Sequence, residues 1–186
     1  MLTITPTAIP AVMVIVPKSF NDHRGSFCET YNRAEFFERG ITQEFVQDNQ
    51  SRSAAKGTVR GLHFQSPPMA QDKLVRVLRG RIFDVAVDLR RSSPSYGRWV
   101  AEELSAENGR QLLIPIGFAH GFCTLEPDTH VLYKVTSYYS PQADFGIAWD
   151  DRDLAIDWPV PRSEIVLSDK DANLPLLKVL PNYFDT

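Results

Sequence analysis

Short runs of strand-forming residues recur through most of this chain after Phe45, and turn signals separate them. The signals are rich in Gly, Pro, Asn and Asp and stand at Arg79-Gly80, Ser93-Pro94, Asn108-Gly109, Gly117, Pro127-Asp128 and Pro141. Strands at this spacing, with almost no helical pattern between them, are typical of an antiparallel β-sandwich or barrel. The sequence therefore predicts an all-β fold with few short helices.

Some of these turn signals also predict β-hairpins. The runs at 74–79 and 82–89 flank Gly80, and the runs at 99–105 and 111–114 flank the Asn108-Gly109 turn. Asn-Gly is a strong hairpin signal because both residues accept a positive φ. We expect each pair of runs to lie side by side in one sheet.

The N-terminal part of the chain carries further predictions. Residues 9–16 are apolar and lie beside prolines, which predicts an edge strand because proline lacks a donor for the ladder. Such an edge can pair with a second copy, so we expect residues 1–16 at a homodimer interface.

The pattern at residues 20–25 predicts a turn, and the pattern at residues 26–31 predicts a strand that carries Glu29. Asn32 followed by Glu35 resembles a capping box, which predicts a helix over 33–39.

Length and charge exclude several classes of protein. With 186 residues the chain predicts one domain, 1–186, since domains usually contain about 100 to 200 residues. A formal net charge of -3 provides no basic field for nucleic acid. No targeting segment is recognisable, and no stretch approaches the roughly 18 apolar residues of a membrane span. Cys28 and Cys123 form no disulfide framework. We expect a soluble, cytoplasmic protein without membrane or nucleic-acid partners.

The segment 60–65 holds the first candidates for chemistry. Arg60 and His63 stand close together in a strand-like run, and such a pair can hold an anion and move a proton. A histidine between Leu62 and Phe64 is nevertheless more often a half-buried strand residue than a catalyst. The runs downstream favour the functional interpretation. They are QDKLVRV at 71–77, DVAVDLR at 84–90, IPIGFAHGF at 114–122 and the pair Tyr133-Lys134.

In this order the runs resemble the dTDP-4-dehydrorhamnose 3,5-epimerase family of nucleotide-sugar epimerases, from about Phe20 to about Asp171. The resemblance implies a cupin-type jelly roll, a homodimer and a small-molecule substrate, a dTDP-4-keto-6-deoxy sugar. It implies inversion of dTDP-4-dehydro-6-deoxy-D-glucose at C3 and C5, in dTDP-L-rhamnose biosynthesis. It also implies no metal and no cofactor. The sequence has no close His-x-His pair and no Gly-x-Gly-x-x-Gly after a strand.

The implied reaction needs a base and an acid. The carbonyl of a 4-keto sugar acidifies C3 and C5, so a base on one face and an acid on the other can invert each carbon through an enolate. His63 is the candidate base because imidazole has an unperturbed pKa of about 6.5. By resemblance, Tyr133 is the acid and Asp171 orients His63. Lys73, which matches a family lysine beside the substrate, can hold the developing oxyanion.

The resemblance also implies a set of residues in contact with substrate: Phe20, Arg24, Glu29, Gln47, Asp48, Asn49, Arg60, His120, Tyr139, Asp144 and Lys170. Tyr139 matches a tyrosine that stacks on thymine, unless the register slips to Tyr138. It shares strand parity with Tyr133, which predicts a spacing of roughly 20 Å along one strand. Asp144 departs from the family, where glutamate is common, and its shorter carboxylate is expected to contact substrate less directly.

Strict alternation puts Arg60 and His63 on opposite faces of their strand, so we predict a twist or bulge at Gly61. The C-terminal tail, residues 150–186, is expected to pack over the site.

The sequence also leaves other functions open. The same acid and base would serve a mono-epimerase acting at C3 or C5 alone, and the scaffold would also suit a non-catalytic sugar-nucleotide-binding protein or a metal-dependent cupin enzyme.

Overall fold

Two antiparallel sheets face each other across an apolar interior. The computed structural model describes residues 2–185, so Met1 and Thr186, the ends of the predicted domain, lie outside the described residues. The strands are β1 Thr3–Pro6, β2 Met13–Val16, β3 Ser19–Asp22, β4 Gly25–Cys28, β5 Gln47–Ser53, β6 Val59–Gln65, β7 Lys73–Arg79, β8 Arg81–Asp88, β9 Trp99–Ser105, β10 Gln111–Ile114, β11 Phe118–Thr124, β12 Thr129–Val135 and β13 Asp144–Gly146. The helices are α1 Arg33–Glu38 and α2 Asp169–Ala172, with 3-10 turns at Arg162–Glu164 and Leu177–Val179. Within this part of the chain, none of the helices has the length and apolar character needed to span a bilayer.

The two sheets form a sandwich. One has the order β1-β2-β10-β7-β12-β5, and the other has the order β13-β6-β11-β8-β9. Because side chains alternate along a strand, Val75, Val77 and Val131 of the first sheet meet Ile82 and Phe122 of the second in one buried cluster. The predicted all-β jelly roll, an antiparallel sandwich with few short helices, is confirmed.

Both predicted hairpins are wrong. β7 and β8 lie in different sheets although only Gly80 separates them, and β9 and β10 are divided in the same way around Asn108-Gly109. At Gly80 the φ angle is 80° and a Cβ would stand 2.4 Å from Thr129 Oγ1, so only glycine fits where the chain crosses between layers. A turn residue specifies that the chain reverses, whereas the burial of both apolar faces decides that it also changes sheet.

The edge of the larger sheet is not where the sequence predicted it. Within 9–16 only Met13–Val16 is a strand, and it pairs with β1 on one side and β10 on the other. β1, which contains Pro6, is the edge strand. The predicted turn at 20–25 is itself part of a hairpin, in which β3 pairs with β4. β4 ends at Cys28, so the predicted strand stops short of Glu29.

Helix α1 begins as its sequence predicted. Asn32 Oδ1 accepts hydrogen bonds from the backbone N–H groups of Ala34 and Glu35, which satisfies donors that have no partner inside the helix. The Glu35 carboxylate does not close a capping box, because it accepts the N–H of Leu2 instead. Phe36 anchors the helix in a cluster on the outer face of the larger sheet.

Much of the C-terminal tail packs on the outer face of the smaller sheet. Leu154, Leu177 and Phe184 join Phe64 in an apolar cluster there. The buried carboxylate of Asp151 fixes the tail by accepting the backbone N–H groups of Leu154 and Leu177. Within residues 150–185, the segment around α2 turns toward the cavity described below, where the predicted packing of the tail over the site stays a prediction.

Candidate active site

A cavity of about 300 Å³ opens where β5, at the edge of one sheet, faces β6 and β13 of the other. Most of the predicted site residues line it: Gln47, Asn49, Arg60, His63, Lys73, His120, Tyr133, Tyr139, Asp144, Lys170 and Asp171. Because these residues come from both sheets and from α2, the opposite walls of the cavity carry different chemical groups.

An irregularity in β6 turns Arg60 and His63 toward the same cavity. The register of β6 against β11 shifts by one residue between the pair His63–His120 and the pair Arg60–Phe122. Gly61 lies at the shift with a φ of 113°, and a Cβ there would stand 2.7 Å from the His120 carbonyl oxygen. The bulge predicted at Gly61 is confirmed, and it requires glycine.

His63 and Asp171 form a hydrogen-bonded pair on one wall. His63 Nε2 lies 2.6 Å from Asp171 Oδ1, and the Asp171 side chain is only 5% exposed. Burial by itself would raise the pKa of Asp171, but hydrogen bonds from His63, Ser168 and the Gly61 backbone lower that pKa below its usual value. Asp171 is therefore ionised and accepts the Nε2 proton, which leaves the lone pair of His63 on Nδ1.

Helix α2 brings Asp171 to β6, although 108 residues separate it from His63 in the chain. Ser168 caps this helix, since its Oγ accepts the Asp171 N–H at 3.1 Å. Just before the cap, Val166 pairs with Thr58 next to the start of β6. These contacts fix the position of the carboxylate relative to the imidazole.

Tyr133 reaches the cavity from the larger sheet, which forms the opposite wall. It lies on β12 between Val131 and Val135, whose side chains share its face and are buried in the interior. Burial raises the pKa of the Tyr133 hydroxyl, the charge of Arg60 counteracts this shift, and that of Asp144 adds to it. The hydroxyl is therefore protonated at neutral pH, as a proton donor must be.

Lys73 is buried between the two walls. It is 8% exposed, and its Nζ donates to the backbone carbonyl of His63 at 3.2 Å. Burial lowers the pKa of Lys73 from 10.5 to about 8, although the carboxylates of Asp144 and Asp84 favour its charged form. An ammonium group in this position can stabilise negative charge that develops on a bound substrate.

A second histidine–carboxylate pair stands behind the cavity. His120 Nε2 lies 2.6 Å from Asp84 Oδ1, and Asp84 is completely buried. The sequence-based prediction included His120 but missed Asp84. A usable signal existed, because Asp84 precedes the apolar run Val85-Ala86-Val87, and a carboxylate buried in such a strand needs a partner.

Tyr139 lies at the cavity mouth, beyond the end of β12. The strand stops at Val135, so the predicted arrangement of Tyr133 and Tyr139 along one strand is wrong. Gln47 holds the segment instead, because its Oε1 accepts the Tyr139 N–H at 3.2 Å. Tyr138 does not line the cavity, whereas Tyr139 does.

Asp144 connects Tyr139 to helix α2. Its Oδ2 accepts hydrogen bonds from the Tyr139 hydroxyl at 3.0 Å and from Lys170 Nζ at 2.6 Å. The hydrogen bond to Asp144 raises the pKa of Tyr139. The shorter carboxylate at position 144 therefore still reaches both partners at the cavity mouth.

Asp48 does not line the cavity. It lies on the outer face of β5, on the side opposite to Gln47 and Asn49, because successive side chains of a strand alternate. There its carboxylate pairs with Lys134 Nζ at 2.9 Å. The side-chain contact predicted for Asp48 therefore does not reach the cavity of this chain.

Phe20, Arg24 and Glu29 do not line the cavity either. Phe20 and Arg24 belong to the β3–β4 hairpin, which stands apart from both sheets, and Phe20 is 53% exposed. Glu29 follows the hairpin and accepts a hydrogen bond from Asn32. Within one chain, the fold does not bring these residues to the other predicted site residues.

Several residues line the cavity that the sequence-based prediction did not include: Ser51, Phe64, Gln65, Gln71, Phe122 and Ser168. Strand parity could have found three of them. Ser51 shares a face of β5 with Asn49, Gln65 shares a face of β6 with His63, and Phe122 shares a face of β11 with His120. Gln71 and Ser168 carry no comparable sequence signal, because they lie outside the strands.

Among residues 2–185, no group of three or more His, Cys, Asp or Glu side chains is arranged to hold a metal ion. The absence of a metal stays a prediction, and elemental analysis of the purified protein tests it.

The fold and the cavity fit an acid–base isomerase, because an imidazole and a protonated phenol face the same space from opposite walls. Comparison with known proteins narrows this class. The family model described as dTDP-4-dehydrorhamnose 3,5-epimerase matches residues 6–179. The chain belongs to this family, which confirms the resemblance found in its sequence.

Individual relatives agree over nearly the whole chain. The dTDP-4-dehydrorhamnose 3,5-epimerase of Shigella flexneri is 51% identical over 173 residues, which cover 92% of this chain and 94% of that protein. A crystal structure of dTDP-6-deoxy-D-glucose-3,5-epimerase from Legionella pneumophila, in complex with dTDP-4-keto-L-rhamnose, is 48% identical with a TM-score of 0.93 and covers 97% and 95% of the two chains. A 3'-monoepimerase from Streptomyces bikiniensis, in complex with dTDP-quinovose, is 32% identical with a TM-score of 0.86 and covers 93% and 87%.

Proposed function

We propose that this enzyme epimerises dTDP-4-dehydro-6-deoxy-D-glucose at C3 and C5 to give dTDP-4-dehydro-L-rhamnose, a step of dTDP-L-rhamnose biosynthesis. The observation that carries the proposal is the placement of His63 and Tyr133 in opposing sheets around one cavity. Inversion at a carbon requires that the proton leaves from one face and returns to the other. A base and an acid on opposite walls meet this requirement.

Each side chain has a role in this reaction. His63 Nδ1 removes the proton next to the C4 carbonyl, and Asp171 stabilises the imidazolium that forms. Lys73 holds the enolate oxygen. His120, fixed by Asp84, lines the cavity beside it. Tyr133 then donates its proton to the opposite face of the carbon.

The remaining lining residues bind the nucleotide end. Tyr139 presents an exposed ring at the cavity mouth, where it stacks on the thymine base. Arg60 supplies a guanidinium group for the diphosphate. Gln47 and Asn49 add amide groups from β5, and Lys170 adds a positive charge.

Proton NMR in deuterium oxide tests the function directly. Incubation of the enzyme with dTDP-4-dehydro-6-deoxy-D-glucose should replace the protons at C3 and C5 with deuterium and yield the L-sugar. A mono-epimerase, which the similarity to the 3'-monoepimerase keeps as the alternative, would invert one carbon only. A product without deuterium at either carbon would contradict both functions.

The pKa of Lys73 leads to a prediction about pH. Because its ammonium group loses a proton as the pH rises through about 8, kcat/KM should fall above that pH by roughly tenfold per pH unit. Tyr133 does not cause this decline, since its pKa is raised above the usual value for tyrosine. The measurement is a profile of kcat/KM between about pH 6 and 10.

Lys73→Met serves as the control, because its residual activity should not show this decline above about pH 8. A wild-type profile that stays flat well above pH 9 would refute the role of the Lys73 charge.

We also propose that the enzyme is a homodimer in which the β3–β4 hairpin of each subunit completes the site of the other. The family resemblance implies substrate contact by Phe20, Arg24 and Glu29, yet none of them lines the cavity of its own chain. Phe20 and Phe27 are exposed on the hairpin, as expected of side chains that a partner covers.

Complementation between subunits tests this arrangement. Arg24→Ala and His63→Ala subunits should each be poorly active alone. In a mixed dimer, the Arg24→Ala subunit keeps its own His63 and receives an intact Arg24 from its partner. Random mixing should therefore restore roughly a quarter of wild-type activity at limiting substrate, since half of the dimers are mixed and each has one intact site. Arg33→Ala, which removes a similar exposed charge outside the hairpin, is the matched control. A monomeric mass by light scattering, or no restoration on mixing, would contradict the proposal.

We further propose that the protein is cytoplasmic. The thiols of Cys28 and Cys123 are free, which is compatible with a reducing compartment.

A further inference from the structure

Gln65 is a buried residue at the end of β6, where it lines the cavity and is only 4% exposed. Its amide carries two N–H donors and a carbonyl acceptor. Because unpaired polar atoms are costly inside a protein, each of these groups needs a partner. The partners of the amide therefore show what the residue does.

All three polar groups of the Gln65 amide bind backbone. Its Nε2 donates to the carbonyl oxygens of Met69 at 2.6 Å and of Tyr138 at 3.1 Å. Its Oε1 accepts the N–H of Ser140 at 2.7 Å. Both donors are used and the oxygen has a partner. Although the side chain borders the cavity, its polar atoms hold the chain and not a ligand.

Two of these partners belong to the peptide units on either side of Tyr139. Gln65 binds the preceding unit through the Tyr138 carbonyl and the following unit through the Ser140 N–H. The N–H of Tyr139 donates to Gln47, which comes from the other sheet. Two glutamines, one from each sheet, therefore hold both peptide units of Tyr139.

This support matters because Tyr139 lies on an irregular segment. Residues 136–143 connect β12 of the larger sheet to β13 of the smaller one, and they belong to no β-ladder. The Tyr139 side chain is also 58% exposed, so packing constrains it little. A segment that is already fixed in its binding conformation loses less conformational entropy when a ligand binds.

The same amide ties a second connection to this segment. Met69 belongs to residues 66–72, which lead from β6 back to the larger sheet. Gln71 and Ala70 of this connection also bind the segment, but both bind Ser137, two residues before Tyr139. Gln65 is the residue that joins the two connections at the peptide units of Tyr139 itself.

We propose that Gln65 is a positioning residue for Tyr139, which holds the ring at the cavity mouth in the orientation that stacks on the thymine base. This inference rests on the proposed function, because that function assigns the stacking to Tyr139. Gln65 acts on the nucleotide only through the ring. Its effect on binding should therefore disappear when the ring is absent.

A double-mutant cycle measures this dependence. Gln65→Met keeps a side chain of similar size and deletes all three hydrogen bonds. We expect it to raise the Kd of dTDP, measured by calorimetry, roughly three- to tenfold, a factor that corresponds to one net hydrogen bond. In the Tyr139→Ala background, the same substitution should change the Kd by less than about twofold.

Two further readouts separate positioning from a general loss of structure. Pyrophosphate has no base, so its inhibition constant in Gln65→Met should stay within about twofold of wild type. The KM for the dTDP-4-keto sugar should rise while kcat at saturating substrate is retained, because the lost contact contributes equally to the ground state and the transition state.

Asn108 provides the matched control. Its amide also makes three bonds to backbone, since Nδ2 donates to the Glu103 carbonyl and Oδ1 accepts the N–H groups of Ser105 and Arg110. It lies between β9 and β10 and does not line the cavity. Asn108→Leu should lower the melting temperature and leave the Kd of dTDP unchanged. Equal weakening of dTDP binding in Asn108→Leu and Gln65→Met would overturn the proposal.

A milder substitution keeps the test decisive if Gln65→Met fails to fold. Gln65→Asn retains a neutral amide but is one methylene shorter, so it cannot reach all three partners. Its Kd for dTDP should lie between those of wild type and Gln65→Met. The cycle with Tyr139→Ala is then measured on this variant.

The proposal is overturned if Gln65→Met binds dTDP as tightly as wild type, or if it weakens binding equally with and without the Tyr139 ring. Weaker inhibition by pyrophosphate to the same degree would also overturn it, because the effect would then lie at the diphosphate. Tyr139→Ala with wild-type affinity for dTDP would refute both the stacking and this inference. A wild-type enzyme that fails to exchange C3 and C5 would refute only the proposed reaction, since the cycle measures dTDP affinity.

Discussion

His63→Ala is expected to suppress the entry of solvent deuterium at C3 and at C5 by about 10²- to 10⁴-fold, the usual contribution of a positioned general base. Both carbons should be affected together, because one imidazole faces the cavity from the wall that also holds Asp171. The variant should still fold and bind dTDP. The measurement is the rate of exchange by proton NMR in deuterium oxide, at saturating substrate.

Two further variants calibrate this result. Asp171→Asn should exchange at a rate between those of wild type and His63→Ala, because it keeps the imidazole but weakens the partner that fixes its tautomer. His130→Ala is the matched control, since His130 contacts Asp128 outside the cavity, and its exchange rate should equal that of wild type. Near wild-type exchange at both carbons in folded, dTDP-binding His63→Ala would exclude His63 as the base.

Tyr133→Phe is expected to separate exchange from inversion. The substitution keeps the ring and leaves His63 in place, but it deletes the proton donor on the opposite wall. His63 can then return a solvent deuteron to the face from which the proton left, so deuterium should enter recovered substrate while its configuration is retained. Formation of the L-sugar should fall by about 10²- to 10⁴-fold.

The control for this variant is Tyr96→Phe, which removes the hydroxyl of a tyrosine that packs on the outer face of the smaller sheet. Its rates of exchange and inversion should match those of wild type. Because exchange and product are both read by NMR from one sample, their ratio decides the result. A Tyr133→Phe enzyme that still inverts both carbons at the wild-type rate would assign the donor to another group.

How much of the site follows from sequence can be judged residue by residue. Short sequence motifs identified His63, Tyr133 and Lys73, because each family motif spans only a few consecutive residues. Strict alternation would place Arg60 and His63 on opposite faces of β6, although the family uses both residues. This conflict predicted the bulge at Gly61. Asp84 was missed although it precedes an apolar run, since its partner His120 lies on another strand and is identified only after folding.

The sequence by itself determined that the chain forms short antiparallel strands, because alternation and turn residues act over a few positions. It also identified His63, Tyr133 and Lys73, which line one cavity. Only the tertiary structure decided that β7 and β8 lie in different sheets, that β1 is the edge, and that Asp171 meets His63 across 108 residues of chain. The physical reason is that a turn fixes the local direction of the backbone, whereas the choice of sheet and of distant partners minimises exposed apolar surface over the whole domain.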